Sequence, residues 1–326
     1  MRTPSHWYKE YSLLSSLLQP LAYLWITISF LRKTFKKKYY FNTPIICVGN
    51  VIAGGGGKTP LVIEICKYYK KNKTNIHIIY KAYKTKINNK VINVNSLQNN
   101  NYIDDEAILI SKYAETWVCK KRKYGIQAAI KSGAELIILD DGLQDTSIVK
   151  NVNILVSNKN QGNGNNKIIP AGPLRETISS ATRKSSCIFF YGKKDEFVKY
   201  FNNYKKNIFF GEIFIDFKEL IKIRRKKIIA FAGIAHPKNF FNLLDNQNIN
   251  LIDTISFPDH YKYKENDIKK ILLLCKKNSA IPVTTYKDYV KIPDDLKKDF
   301  SVIDIYIKFD KEKFFSFINK QIKFNV

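Results

Sequence analysis

The residues best suited to chemistry are a lysine and a threonine that follow four consecutive glycines, in Gly54-Gly55-Gly56-Gly57-Lys58-Thr59-Pro60. An apolar run, Pro44-Ile45-Ile46-Cys47-Val48, precedes them and reads as a buried strand. Leu61-Val62-Ile63-Glu64-Ile65-Cys66 follows and reads as the start of a helix. Strand, glycine loop, Lys-Thr and helix form a phosphate-binding arrangement. Glycines let successive backbone N–H groups turn toward phosphate oxygens, and the helix N-terminus adds partial positive charge there. In this pattern Lys58 reaches the β- and γ-phosphates of a nucleotide and the Thr59 hydroxyl ligates Mg²⁺. Ile52 stands where the usual pattern has its first glycine. A flexible linker would also be rich in glycine, but a linker has no use between an apolar strand and an apolar helix.

Two acidic clusters and one histidine could serve such a loop. Asp140-Asp141 end the apolar run Leu136–Leu139, and a carboxylate at a strand end beside a phosphate loop is suited to hold Mg²⁺. The competing reading is a turn capped by Asp140 with Gly142. Asp104-Asp105-Glu106 lie at an expected helix start, where the helix dipole accounts for acidic residues as well as function does. His260, in Phe257-Pro258-Asp259-His260-Tyr261, could orient a partner or relay a proton, and a surface turn accounts for it equally.

Alternating strands and helices must position these residues. Strands are expected at 76–80, 116–119, 135–140, 152–156 and 187–190, and helices at 105–114 and 122–132. The alternation predicts a parallel α/β sheet covered on both faces. Residues 158–173, rich in Asn, Gly and Pro, read as a long loop. The phosphate-loop domain is expected over 39–193, a linker with a hairpin near 208–217 over 194–226, and a smaller α/β domain over 227–326. That second domain is read as strands at 227–232, 249–255, 281–285 and 301–307 with helices at 237–247, 264–276 and 310–320.

Ahead of the phosphate loop, residues 11–31 carry no charge and run directly into Arg32-Lys33-Thr34-Phe35-Lys36-Lys37-Lys38. Ser12, Ser15, Ser16, Gln19 and Pro20 make the stretch too polar and too interrupted for a convincing span. Residues 1–38 are read as an interfacial, membrane-associated helix with a basic flank that meets anionic headgroups. A soluble amphipathic helix packed on the domain is the alternative.

The composition agrees with an anionic setting. Fifty-five Lys and Arg against 28 Asp and Glu give a formal charge of +27 in 326 residues. Lys, Asn and Ile are abundant throughout, and no basic block interleaved with aromatics looks like a base-reading surface. An anionic membrane and a phosphorylated substrate are therefore preferred to nucleic acid. The five cysteines lack metal-ligand spacing and read as reduced, buried thiols.

Taken together, these segments resemble the tetraacyldisaccharide 4′-kinase family of lipid A biosynthesis. The resemblance runs through Val48–Pro60, Asp104-Asp105-Glu106-Ala107, Asp140-Asp141-Gly142-Leu143-Gln144-Asp145, and Gly162-Asn163-Gly164 followed by Pro170-Ala171-Gly172-Pro173-Leu174-Arg175-Glu176. It continues through Phe257–His260 and Thr284-Thr285-Tyr286-Lys287-Asp288, in the family's order over nearly the whole chain. The family also lacks the early glycine at Ile52. Departures are Ile52 and Gly56 for two inner threonines, Tyr80-Lys81-Ala82-Tyr83-Lys84 for Ser-Arg-Gly-Tyr-Gly, and Asp145 for a histidine. The change at 80–84 alters a loop near the substrate, and Asp145 removes an imidazole that could touch ligand.

The resemblance implies an ATP- and Mg²⁺-dependent kinase that phosphorylates the 4′-hydroxyl of a lipid A disaccharide 1-phosphate at the cytoplasmic face of the bacterial inner membrane. It implies nucleotide binding by Gly54, Gly55, Gly56, Gly57, Lys58 and Thr59, and metal holding by Thr59, Asp140, Asp141 and, more weakly, Glu106. Lys58 would neutralise charge, and Asp105 with His260 would accept the hydroxyl proton, which requires the second domain to close over the first. Arg175 and Asn163 are the expected substrate contacts. A non-enzymatic nucleotide-binding protein docked on membranes and a degenerate kinase relative are the alternatives.

Overall fold

The computed structural model describes residues 4–82, 91–97, 103–201, 204, 207–293 and 295–323. Tyr83 and Lys84, in one of the departures noted above, lie outside this set. The chain divides into two compact units, Pro4–Glu212 with Phe309–Val326, and Ile213–Lys308.

The larger unit opens with helices α1 (Leu13–Leu17) and α2 (Gln19–Thr34). Then follow β1 (Ile45–Gly49), α3 (Lys58–Lys71), β2 (Ile76–Lys81), β3 (Ile92–Asn93), α4 (Asp105–Ser111), β4 (Glu115–Cys119), α5 (Arg122–Lys131) and β5 (Leu136–Asp140). The unit continues with β6 (Val152–Asn158), α6 (Ile178–Lys184), β7 (Cys187–Tyr191), α7 (Lys194–Val198) and β8 (Asn207–Ile215). The smaller unit carries α8 (Phe217–Ile223), β9 (Lys227–Ala232), α9 (Pro237–Asp245), β10 (Leu251–Ser256), α10 (Glu265–Lys277), β11 (Ala280–Thr285), α11 (Tyr286–Tyr289) and β12 (Ser301–Ile303). Strand β13 (Ile305–Phe309) then leads back to α12 (Lys311–Lys323) of the larger unit.

The large sheet has the order β13-β8-β7-β6-β1-β5-β2-β4-β3. From β8 to β4 its neighbours are parallel, and β3 runs antiparallel to β4. Every residue of β1, β5 and β7 is buried, as helices on both faces of a parallel sheet require. The smaller sheet is parallel throughout, in the order β10-β9-β11-β12. All five cysteines are free and buried.

Several elements differ from the sequence expectation. Residues 208–217 form no hairpin: β8 runs unbroken through Gly211 beside β7, with Tyr191 opposite Gly211. The segment 194–226 contains two helices and a sheet strand. The single strand expected at 301–307 is two strands, β12 and β13, that belong to different sheets. Helix α12 packs on the larger unit, with Phe315 stacked on Tyr68 at 3.6 Å and Lys311 paired with Glu64 at 2.6 Å.

Residues 11–31 form two helices, broken at Leu18–Gln19 just before Pro20, which takes the first turn of α2. Proline fits there because the N–H it lacks has no partner within the helix. Among the described residues no helix is long and apolar enough to cross a membrane. Ser15 ties α1 to the 158–173 loop by donating to the Ala171 carbonyl at 2.6 Å, and Leu18, Ala22 and Ile26 pack into the core. Leu13, Leu17, Leu21, Leu24 and Leu31 remain exposed.

Candidate functional site

The site forms where β1 and β5 end side by side. Their register pairs Val48 with Asp140, so the strand entering the glycine loop lies against the strand that ends in the acidic pair. Gly57 takes φ +75°, a conformation that favours glycine, and caps α3, which starts at Lys58. Gly56 has a different reason. A Cβ there would lie 1.8 Å from Asn50 Nδ2, so the Asn50 side chain fills the space that a larger residue would need. Lys58 Nζ sits 3.5 Å from Asn50 Oδ1 and 3.5 Å from Asp141 Oδ1. The Asn50 carbonyl accepts a hydrogen bond from Gln144 Nε2 at 2.8 Å, which ties the loop to the turn after β5.

The two aspartates sit in opposite electrostatic settings. Asp140 is buried, and among the described residues its Oδ1 has no hydrogen-bond partner. Burial pushes its carboxyl up to about 7; Glu106 and Asp141 push the same way, and Lys58 and Arg122 oppose them. Asp141 has φ +51°, a left-handed backbone that costs a non-glycine residue of order 1–3 kcal/mol. Burial works to raise its carboxyl too, but Lys58 and Arg175 outweigh it and hold the group well below the usual carboxylate range. Arg175 Nη1 donates to Asp141 Oδ2 at 2.8 Å.

Arg122, buried at the start of α5, fixes the turn that carries both acids. Its Nη2 donates to the carbonyls of Asp140 at 3.1 Å and Asp141 at 2.7 Å, and its Nη1 approaches Asp145 at 3.4 Å. Asp145 also accepts from Ser147 Oγ at 2.6 Å and Lys36 Nζ at 2.9 Å. Burial would raise the Asp145 carboxyl, but the Ser147 and Lys36 hydrogen bonds and the Arg122 charge hold it well below the usual range.

The structure thus brings Lys58, Asp140, Asp141 and Arg175 together, with the Glu106 charge felt at Asp140. Thr59 lies half-buried in the first turn of α3. Asp105 and Glu106 occupy the first turn of α4 in the larger unit, and His260 belongs to the smaller unit. Asn163 is buried, with its amide donating to the Tyr200 carbonyl at 3.1 Å, which ties the 158–173 loop to the segment after α7. Sequence reasoning missed Arg122, Asn50, Gln144 and Glu176, whose Oε1 accepts from Gln144 Nε2 at 3.3 Å, as members of the cluster. Asn50, Gln144 and Glu176 stand inside recognised motifs, whereas nothing local marks Arg122 as a buried brace.

Mg²⁺ and ATP fit these residues. A buried carboxylate oxygen without a donor, beside a lysine and a glycine loop that caps a helix, suits a cation bridged to phosphates. Among the described residues no group of three or more His, Cys, Asp or Glu could hold a metal. Mg²⁺ does not need one, because it is commonly held by one or two carboxylates together with substrate phosphates.

Comparison with known proteins assigns the chain to a family. The family model described as tetraacyldisaccharide-1-P 4′-kinase matches residues 14–323. This chain belongs to that family. The tetraacyldisaccharide 4′-kinase of Paramagnetospirillum magneticum is 31% identical over 315 residues, covering 95% of each chain. That of Rickettsia bellii is 30% identical over 296 residues, covering 89% of each. The crystal structure of Aquifex aeolicus LpxK in complex with ATP superposes with a TM-score of 0.77 at 25% identity, covering 95% of this chain and 100% of that one. The tetraacyldisaccharide-1-P 4′-kinase family therefore accounts for the P-loop-like sheet and the ATP- and Mg²⁺-dependent phosphotransferase class.

Proposed function

We propose that this chain transfers the γ-phosphoryl group of ATP to the 4′-hydroxyl of a tetraacyldisaccharide 1-phosphate, a lipid A precursor, and so forms lipid IVA. The observation that carries the reading is the meeting of Lys58 with Asp140-Asp141 at the ends of adjacent strands, in a chain of this family. In the transfer, the bond between the γ-phosphorus and the β–γ bridging oxygen breaks and a bond to the sugar oxygen forms. The hydroxyl proton must leave to a base.

The residues divide these tasks. The backbone of Gly54–Gly57 holds phosphate oxygens, and Lys58 exchanges its long contacts to Asn50 and Asp141 for the β- and γ-phosphates. Thr59 and Asp140 would hold Mg²⁺, with Asp141 and Glu106 beside them, and the bound ion would neutralise charge on the transferring group. Arg122 fixes the acidic turn, and Arg175 holds Asp141 and faces phosphate or sugar. Asp105 with His260 accepts the hydroxyl proton. Asn163 anchors the 158–173 substrate loop through the Tyr200 carbonyl.

The acyl chains of the substrate require a membrane surface. The exposed leucines of α1 and α2, with Arg32, Lys36, Lys37 and Lys38 beyond them, suit an interfacial contact with anionic lipid on the cytoplasmic face of the inner membrane. Incubating the protein with labelled ATP, Mg²⁺ and the disaccharide 1-phosphate in detergent micelles tests the reading. Label passes to the lipid with wild-type protein and not with Lys58→Ala. Nucleotide binding without transfer would instead favour a non-catalytic nucleotide-binding role.

A further inference from the structure

A heavily bonded acidic residue outside the phosphate site is Asp288, which is completely buried in the smaller unit. Its Oδ1 accepts from the Gly233 backbone N–H at 3.0 Å, Tyr263 OH at 2.9 Å and Lys291 Nζ at 2.7 Å. Its Oδ2 accepts from Thr285 Oγ1 at 2.8 Å. A buried ion pair of this kind is weak evidence for stability, so its use must be sought in what it orders.

It orders the turn that carries His260. The peptide of Gly233 is held on both sides: its N–H goes to Asp288, and its carbonyl accepts the His260 N–H at 3.1 Å and Lys291 Nζ at 3.5 Å. One residue earlier, the Ala232 carbonyl accepts the Phe257 N–H at 2.9 Å. At the far end of the turn, the Tyr263 hydroxyl returns to the same carboxylate, and its ring packs on Phe257 at 5.0 Å. Between these ties His260 has φ +56°, which is unfavourable for a residue with a Cβ and persists only where its surroundings impose it. Gly233 suits the close fit, since a Cβ would sit 3.1 Å from both Asp288 Oδ1 and Tyr263 OH and would press on them.

We infer that Asp288 is a positioning residue for His260: through Gly233 and Tyr263 it clamps both ends of the Phe257–Tyr263 turn and fixes where the imidazole is presented. The inference rests on the proposed role of His260 in accepting the proton with Asp105. Asp288 is completely buried in the smaller unit. It acts by geometry, and misplacement of a reacting group by about 1 Å can cost about 10²-fold in rate.

Asp288→Asn, Tyr263→Phe, His260→Ala and the Asp288→Asn/His260→Ala double variant, all in the full chain, test this. Asp288→Asn is expected to lower kcat by about 10–10²-fold and to leave the KM for ATP unchanged within about twofold. Hydrogen exchange across 257–263 should accelerate. The double variant should be no slower than His260→Ala alone, because a positioning defect has no effect once the positioned group is gone. Tyr263→Phe removes a single donor and should show the same pattern more weakly; if Asp288→Asn does not fold, this variant decides. A folded variant with wild-type kcat, unchanged exchange across 257–263, or losses that multiply in the double variant would overturn the inference. Wild-type turnover by His260→Ala would instead strike the underlying role of His260, a separate outcome because the exchange data do not depend on it.

Discussion

Asp140 and Asp141 are neighbours with opposite titration behaviour, and this divides their roles. Asp140, raised to about 7 by burial, is easily neutralised and is ready to ionise when a cation arrives. The raised value means that Asp140 supports the ligand-free fold fully below the ordinary carboxylate range and that this support is lost as pH rises through about 7. Asp140→Asn should therefore raise the Tm of ligand-free protein relative to wild type at pH 8 but not at pH 5, as thermal melts would show. The same variant should lower turnover by about 10²–10³-fold, since a bound metal supplies several kcal/mol of charge stabilisation in the transition state. In wild-type protein the proton competes with the cation, so calorimetry should find Mg²⁺-dependent nucleotide binding weakening as pH falls below about 7. An affinity flat from pH 8 to pH 5.5 would remove Asp140 from the metal. Lys58, Thr59 and the acidic pair were legible in the sequence because their spacing is local. Arg122 was not, because its partners Asp140 and Asp141 lie 18 and 19 residues away and a buried arginine has no sequence signature.

At the scale of elements, the loop between β1 and α3 depends on backbone that only some residues adopt. Gly57→Ala forces a Cβ into a φ +75° position and to 3.1 Å from the Tyr191 ring. A left-handed non-glycine costs of order 1–3 kcal/mol, so the Tm of ligand-free protein should fall, and a loop that shifts to shed the strain should lose about 10-fold or more in ATP affinity. Helices α1 and α2 make the second prediction. Replacing Leu13, Leu17, Leu21 and Leu24 with serine should cut partitioning to anionic vesicles by more than about 10-fold, while moderate salt releases wild-type protein only in part, since salt screens charge and not apolar contact. Complete release of wild-type protein by salt would contradict the apolar contact. Strands and helices with strong apolar patterns were readable to within a few residues, β1, β5 and β9 among them. The hairpin expectation failed at β8 because Gly211-Glu212 resembles a turn, whereas pairing with β7 carries the chain straight through.

At the scale of the whole molecule, the charge of +27 and the exposed leucines suit an enzyme that meets two anionic partners, a nucleotide and a phosphorylated lipid. The parallel α/β class was legible from the alternation of elements. The return of α12 to the larger unit was not, because the contact that holds it, Phe315 on Tyr68, joins residues far apart in the chain. The central claim is that ATP turnover ends in a phosphoester on the sugar, and phosphorus NMR of the reaction product tests it most directly. With wild-type protein, Mg²⁺, ATP and the disaccharide 1-phosphate in micelles, the product should carry a second phosphomonoester, at the 4′ position, formed one for one with ADP. ADP released with inorganic phosphate and no change in the lipid, or a new phosphate at another position, would contradict the account.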